Sequence, residues 1–158
     1  MSHRQDEFER TALPHLRSLL RFARRLSGSV SAAEDLVQEA YLQAWRGFDR
    51  FETGTNVRAW LFRILLNAHL QHRRKARIEI AEDRRDDALL QRLELMQALD
   101  RLPEDHRTVL LLGAVEGFTC REIAEILSLP IGTVMSRLSR ARQSMRTMLS
   151  LTCEKVSQ

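Results

Sequence analysis

Residues Phe118 to Arg142 read FTCREIAEILSLPIGTVMSRLSRAR, and this stretch decides how the second half of the chain folds. Thr119 with Glu122 three residues on forms a capping box, which opens a short helix carrying Ile123, Ala124, Ile126 and Leu127. Ser128-Leu129-Pro130 is a turn. A longer helix begins near Ile131 and runs to about Leu151, with an apolar stripe of Val134, Leu138, Ala141, Met145 and Met148. A capped helix, a tight turn and a basic second helix make a helix-turn-helix. The residue choices fit: Ala124 is small where two helices cross, and Leu129 fills the angle between them. Thr133 stands in the first turn, where a hydroxyl can cap an orphan amide or meet a phosphate. Ser136, Arg137, Ser139 and Arg140 lie off the stripe, so they can face a major groove. There Arg binds guanine bidentately and Ser bonds base or backbone. Arg142 and Arg146 come later, better placed for phosphates. The rival reading is a hairpin in an ordinary bundle with a basic face.

Upstream, the same periodicity predicts a helix over about Ala88 to Arg101, with Leu89, Leu93, Met96 and Leu99 inward and Leu90, Leu95 and Leu102 also available. Pro103 stops it and seats the first turn of the next, Glu104 to Glu116, which buries Val109, Leu110, Leu112 and Val115 and ends at Gly117. Residues Ile78 to Asp87 are mostly charged and lack an apolar face, so they read as a linker. Ten to twelve such residues span at most about 35–40 Å, roughly one turn of B-DNA.

The first half is helical too. One helix is expected from about Asp6 to Leu26, lined by Phe8, Leu16, Leu19, Leu20, Ala23 and Leu26, kinked or broken at Pro14 and ended by Gly28. A capping box of Ser31 and Glu34 opens a second, whose broad apolar face is Leu36, Val37, Ala40, Tyr41, Ala44, Trp45 and Phe48. Asp35, Gln38, Glu39, Gln43 and Arg46 stand opposite, available to a partner or merely solvated. After a loop from Asp49 to Asn56, a third helix from Val57 to Arg77 buries Trp60, Leu61, Ile64, Leu65, Ala68 and Leu70, and ends in the basic run Arg73, Arg74, Lys75. Trp60 falls on the stripe and is read as core; Phe62 stays open between core and stacking platform.

Composition agrees with this reading. Lys and Arg number 25 against 21 Asp and Glu in 158 residues, a net charge of +4. Basic side chains gather at 73–77 and 137–146, acidic ones between and before them, as in Glu79, Glu82, Asp83, Asp86 and Asp87. The two cysteines, Cys120 and Cys153, draw no disulfide framework or metal spacing, which fits a reducing compartment. No apolar run reaches the roughly 18 residues of a membrane span, and Met1 to Arg10 has no apolar signal core. A cytoplasmic protein without membrane insertion is expected, of all-α class, with two small helical domains joined by a short linker.

With these residues in view, the chain resembles the extracytoplasmic-function (ECF) sigma factors of the sigma-70 superfamily. Residues 130–142, PIGTVMSRLSRAR, together with LPEDHR at 102–107 and GFTCREIA at 117–124, are similar to the family's fourth conserved region. AEDLVQEAY at 33–41 and NVRAWLFRI at 56–64 are similar to its second. The resemblance implies a region 2 domain over 1–78, a linker over 79–90 and a region 4 domain over 91–158. It implies that Asp35, Gln38 and Glu39 dock on the clamp of the largest subunit of core RNA polymerase. It places Phe51, Thr53, Thr55, Asn56, Asn67, Arg73, Arg74 and Lys75 at the −10 element of promoter DNA, with a flipped base in the loop. It places Thr133, Ser136, Arg137, Ser139, Arg140 and Arg142 at the −35 element, while the outer surface of that domain meets the flap of the second-largest subunit. Met135 and Ser139 stand where the family often carries larger basic or aromatic groups, so the promoter sequence does not transfer. An anti-sigma factor is the implied inhibitor; no cofactor and no enzymatic activity are implied.

Two rivals remain. An enzyme would need a site, and the best candidate, His69 and His72 at i, i+3, has no carboxylate or thiol at ligand spacing. A conventional helix-turn-helix regulator, or a sigma-like decoy that only titrates an anti-sigma factor, would share the second half alone or fail to initiate.

Overall fold

The computed structural model describes residues 3–52, 54–76 and 90–156, with the side chains of 76, 90–93 and 151–156 excepted. The described residues hold helices and turns and no strand. The chain divides into two compact units, Met1–Arg84 and Arg85–Gln158. The expected linker lies outside the described residues but for position 90, as do Thr53 and Arg77.

In the first unit the expected single N-terminal helix is two, α1 (His3–Ala12) and α2 (Leu16–Ser27), separated by a 3-10 turn over Leu13–His15. Pro14 has no N–H and its ring crowds the preceding turn, so the helix is divided rather than bent. This turns Leu16 outward and leaves Phe22, absent from the expected stripe, fully buried. Gly28 ends α2 at φ 70°. The next residue, Ser29, is already extended and caps α3 (Val30–Gly47), its hydroxyl accepting from the Ala32 amide at 3.3 Å. The cap is therefore Ser29 rather than Ser31, because the left-handed glycine lets the chain re-enter a helix after a single residue.

α4 (Val57–Ala76) follows the loop. Leu61, Leu65 and Ala68 are buried as the stripe predicts, but so are Phe62 and Leu66, while Leu70 is exposed. The open question over Phe62 thus closes: its ring is inside, 5.1 Å from Phe22 and near perpendicular to it. Phe8 of α1 sits edge-on to Tyr41, Trp45 and Phe48 at 5.2–6.3 Å. Such edge contacts add about 0.5–1.5 kcal/mol each beyond area burial. Two polar ties fasten α1 to α3: Arg4 Nη2 donates to the Trp45 carbonyl at 3.0 Å, and the Tyr41 hydroxyl donates to the Ala12 carbonyl at 2.8 Å.

The second unit comprises α5 (Leu90–Arg101), α6 (Glu104–Leu110), α7 (Cys120–Leu127) and α8 (Ile131–Val156). Pro103 caps α6 rather than filling its first turn. The helix continues as a wider π turn over Leu111–Val115, where the Glu116 amide donates to the Leu111 carbonyl. That widening buries Leu111 and swings Val115 outward, against expectation. Met96 is exposed and Ala98 buried, so the inward face of α5 is shifted from the expected one. Arg107 closes the end of α5, donating to the carbonyls of Leu99, Asp100 and Leu102 at 2.7–3.2 Å. These are the carbonyls a helix end leaves without partners.

Candidate nucleic-acid interface

The helix-turn-helix is assembled from the cap inward. Glu122 accepts from the Thr119 amide at 2.8 Å, and the Thr119 hydroxyl accepts from the Glu122 amide at 3.2 Å, so the expected box is complete. Ile123 and Ile126 anchor α7 in the core. The turn is made by Ser128, left-handed at φ 53°, a conformation that is costly for a residue with a side chain. Pro130 then accepts from the amides of Thr133 and Val134 and starts α8. Val134, Leu138, Ala141 and Met145 are buried as the stripe predicts.

That burial orients the polar residues of α8. Ser136, Ser139, Arg140 and Arg142 are exposed, and Thr133 is half-buried. Arg137 differs: it lies at the margin of the stripe, where its Nη2 is 3.2 Å from Asp105 Oδ2 of α6. On the other margin an open groove of about 510 Å³ runs between the first turn of α7 and α8, lined by Cys120, Met135, Leu138, Ser139, Arg142 and Arg146. Two arginines on its rim suit a phosphate backbone.

In the first unit the candidate loop is tightly tied. The Phe51 amide donates to Phe48, and the amide and hydroxyl of Thr55 both donate to the Glu52 carbonyl. Gly54 takes φ 96°, a conformation that favours glycine. Asn56 caps α4, its Oδ1 accepting from the Ala59 amide at 3.1 Å. Phe51 stacks parallel to Phe48 and lies 4.7 Å from Trp60, so its ring shapes the loop from within. Thr55, Asn56, Asn67, Arg73, Arg74 and Lys75 are all exposed. Arg63, which the sequence reading passed over, is exposed four residues before Asn67, one turn along the same face; that spacing was its signal.

On α3, Asp35 and Gln38 are exposed, and Glu39 is half-buried, accepting from Gln43 at 2.7 Å. Leu42, also passed over, is exposed in the middle of this polar arc. Near the start of α4, burial and then the Arg58 charge push His15 below its ordinary value. Burial pushes Tyr41 up to about 12. Among the described residues no three or more His, Cys, Asp or Glu side chains gather where they could hold a metal, and no helix is long and apolar enough to cross a membrane.

Comparison with known proteins agrees with this division. Residues 12–78 match the family model of Sigma-70 region 2, and residues 92–145 that of Sigma-70, region 4. The chain is 38% identical over 149 residues to the ECF RNA polymerase sigma factor EcfG of Rhodopseudomonas palustris, covering 87% of this chain and 81% of that one. It is 31% identical over 149 residues to the ECF RNA polymerase sigma factor SigW of Bacillus subtilis, covering 79% of each. Among solved structures it is similar to the sigma factor RpoE of Bartonella quintana, crystallised with the anti-sigma factor NepR. That match has TM-score 0.78 and 34% identity, and covers 91% of this chain and 97% of that one. It is also similar to CnrH in complex with the cytosolic domain of CnrY, with TM-score 0.73 and 31% identity, covering 93% and 90%.

Proposed function

Since this chain belongs to the ECF RNA polymerase sigma factors of the sigma-70 superfamily, we propose that its two units engage core polymerase and two separate promoter elements at once. The domains are taken as 1–78 for region 2, 79–90 for the linker and 91–158 for region 4. The observation that carries this reading is the presence of both modules in one chain, in order, each with a polar face set opposite a closed core. Asp35, Gln38 and Glu39 dock on the clamp of the largest subunit, with Leu42 at the centre of the patch.

Thr55 and Asn56, with Thr53 by its place in the sequence, are assigned to an unpaired base of the −10 element. Phe51 supports that loop through its stack on Phe48 and Trp60. Asn67, Arg73, Arg74 and Lys75 follow the strand along α4, where charge and not base identity governs affinity. In region 4, Thr133, Ser136, Ser139, Arg140 and Arg142 form the surface for the −35 element, with Arg137 at its margin beside Asp105, and the outer face of that domain meets the flap of the second-largest subunit. The chemistry of RNA synthesis belongs to the polymerase, and this chain works without a cofactor in the cytoplasm. An anti-sigma factor holds it inactive; the anti-sigma partner in the similar Bartonella quintana structure supports that reading.

Run-off transcription by core polymerase on a promoter library, with and without this chain, tests the reading. Promoter-specific transcripts that depend on the chain are expected, and their sequences define its −10 and −35 elements. A purified chain, free of inhibitor, that neither associates with core enzyme nor yields transcripts overturns it and leaves the decoy or the simple regulator.

A further inference from the structure

We infer that Asp105 is a specificity-determining residue. By holding Arg137 in an ion pair at the edge of α8, it withholds one cation from the DNA backbone and leaves sequence reading to Ser136, Ser139 and Arg140. This rests on the proposal that α8 is the promoter-reading helix.

The four side chains that sequence spacing groups together are divided by the structure. Ser136, Ser139 and Arg140 project from the exposed arc opposite Val134, Leu138, Ala141 and Met145. Arg137 is rotated toward α6, its side chain only 27% exposed, and its guanidinium is 3.2 Å from a carboxylate that is itself 66% exposed. Asp105 stands in the first turn of α6, where the helix dipole favours an anion. An ion pair this open contributes little to stability. Its consequence lies in where charge is presented.

An unpaired arginine beside a groove attracts phosphates of any sequence, so it holds a duplex whether or not its bases match. Paired with Asp105, Arg137 presents little net charge, and the carboxylate repels a backbone that comes near. On a matched site the base contacts of Ser136, Ser139 and Arg140 fix the register of α8, whereas an unmatched duplex is free to shift a phosphate onto a released guanidinium, so both effects weigh more on the unmatched site.

The test uses holoenzyme reconstituted from core polymerase and the full chain. It is titrated against duplexes carrying the selected promoter with its −35 element intact or scrambled, over a fourfold range of salt. Asp105→Asn is expected to bind the scrambled duplex more tightly and to lower the matched-to-scrambled ratio. It should also steepen the salt dependence by about one phosphate contact, which over fourfold salt is about 3.5-fold in affinity. Asp105→Glu, which keeps the charge, should retain the parental ratio. In an Arg137→Gln background the effect of Asp105→Asn should shrink, and that coupling assigns it to the pair.

Weaker binding of Asp105→Asn to both duplexes, an unchanged ratio, or an undiminished effect in the Arg137→Gln background overturns the inference while leaving the sigma-factor reading intact. Absence of transcripts with the unmodified chain removes the sigma-factor reading, and this inference with it.

Discussion

The two units solve the same problem, a small helical core, with different materials. Eight of the nine aromatic side chains lie in the first unit, and Phe118 alone in the second. The first unit packs ring on ring, from Phe8 through Phe48 and Phe51 to Trp60, and so carries rigidity from the N-terminal helix to a loop of irregular backbone. Apart from Phe118 the second is aliphatic inside, and its short helices are fixed at their ends by the Thr119 box and the Arg107 clamp. On the proposed function, support from beneath suits a loop that receives an unpaired base, and fixed ends suit a helix-turn-helix that lies in a groove.

The largest expected effect tests whether the two cores are independent. Phe22→Ala empties a fully buried site and should cost about 3–5 kcal/mol, enough to unfold a unit of this size. Both tryptophans, Trp45 and Trp60, belong to the first unit, so fluorescence-detected denaturation reads that unit alone. The fluorescence transition should collapse while a helical transition from the second unit persists by circular dichroism. Simultaneous loss of both would mean one cooperative fold and would break the comparison.

A smaller effect should appear in alkali. Because burial raises Tyr41 to about 12, the protonated phenol is favoured in the folded state. Its contribution is full below the ordinary value near 10 and fades as pH rises from there toward 12. As the chain has one tyrosine, ultraviolet titration of tyrosinate should give a single late midpoint. A midpoint near 10 in the folded protein would show that the Tyr41 phenol is not buried in solution.

Thr119→Ala removes the cap of α7 and should cost the second unit about 1 kcal/mol. The loss should be visible in its dichroism transition and absent from tryptophan fluorescence. The smallest effect is expected on the acid side of the first unit. His15 is held below its ordinary 6.5 by burial and by Arg58, so the folded state favours the neutral ring. The stability this gives is present above 6.5 and is lost as pH falls through the lowered value. His15→Gln should flatten the fluorescence-detected stability between about pH 7 and 5.

The helix-turn-helix was legible in detail because its signals are local: a capping box, a turn and a stripe spaced by four and three all act within a few residues of one another. The first unit was less so. Phe22 and Phe62 sit just off the expected stripes, and both are core because each fills the space against the other across two helices. Their pairing has no periodicity along the chain. Ser31 looked like the cap because Glu34 follows at the right distance, yet Gly28 sets the backbone so that Ser29 comes first. Val115 looked inward on a regular helix and turned outward because the helix widens.

By itself the sequence determined an all-α chain in two modules, the family to which it belongs, and the helix proposed to face DNA, since each follows from side-chain order along the backbone. The rotation of each helix against its neighbours was decided only by tertiary packing. Burying Val134, Leu138, Ala141 and Met145 together fixes which polar residues remain outside, and so sends Arg137 to Asp105 while Ser136, Ser139 and Arg140 face outward. A stripe one residue wide on a helix covers a broad arc, and only the neighbouring helix determines which edge of that arc is free.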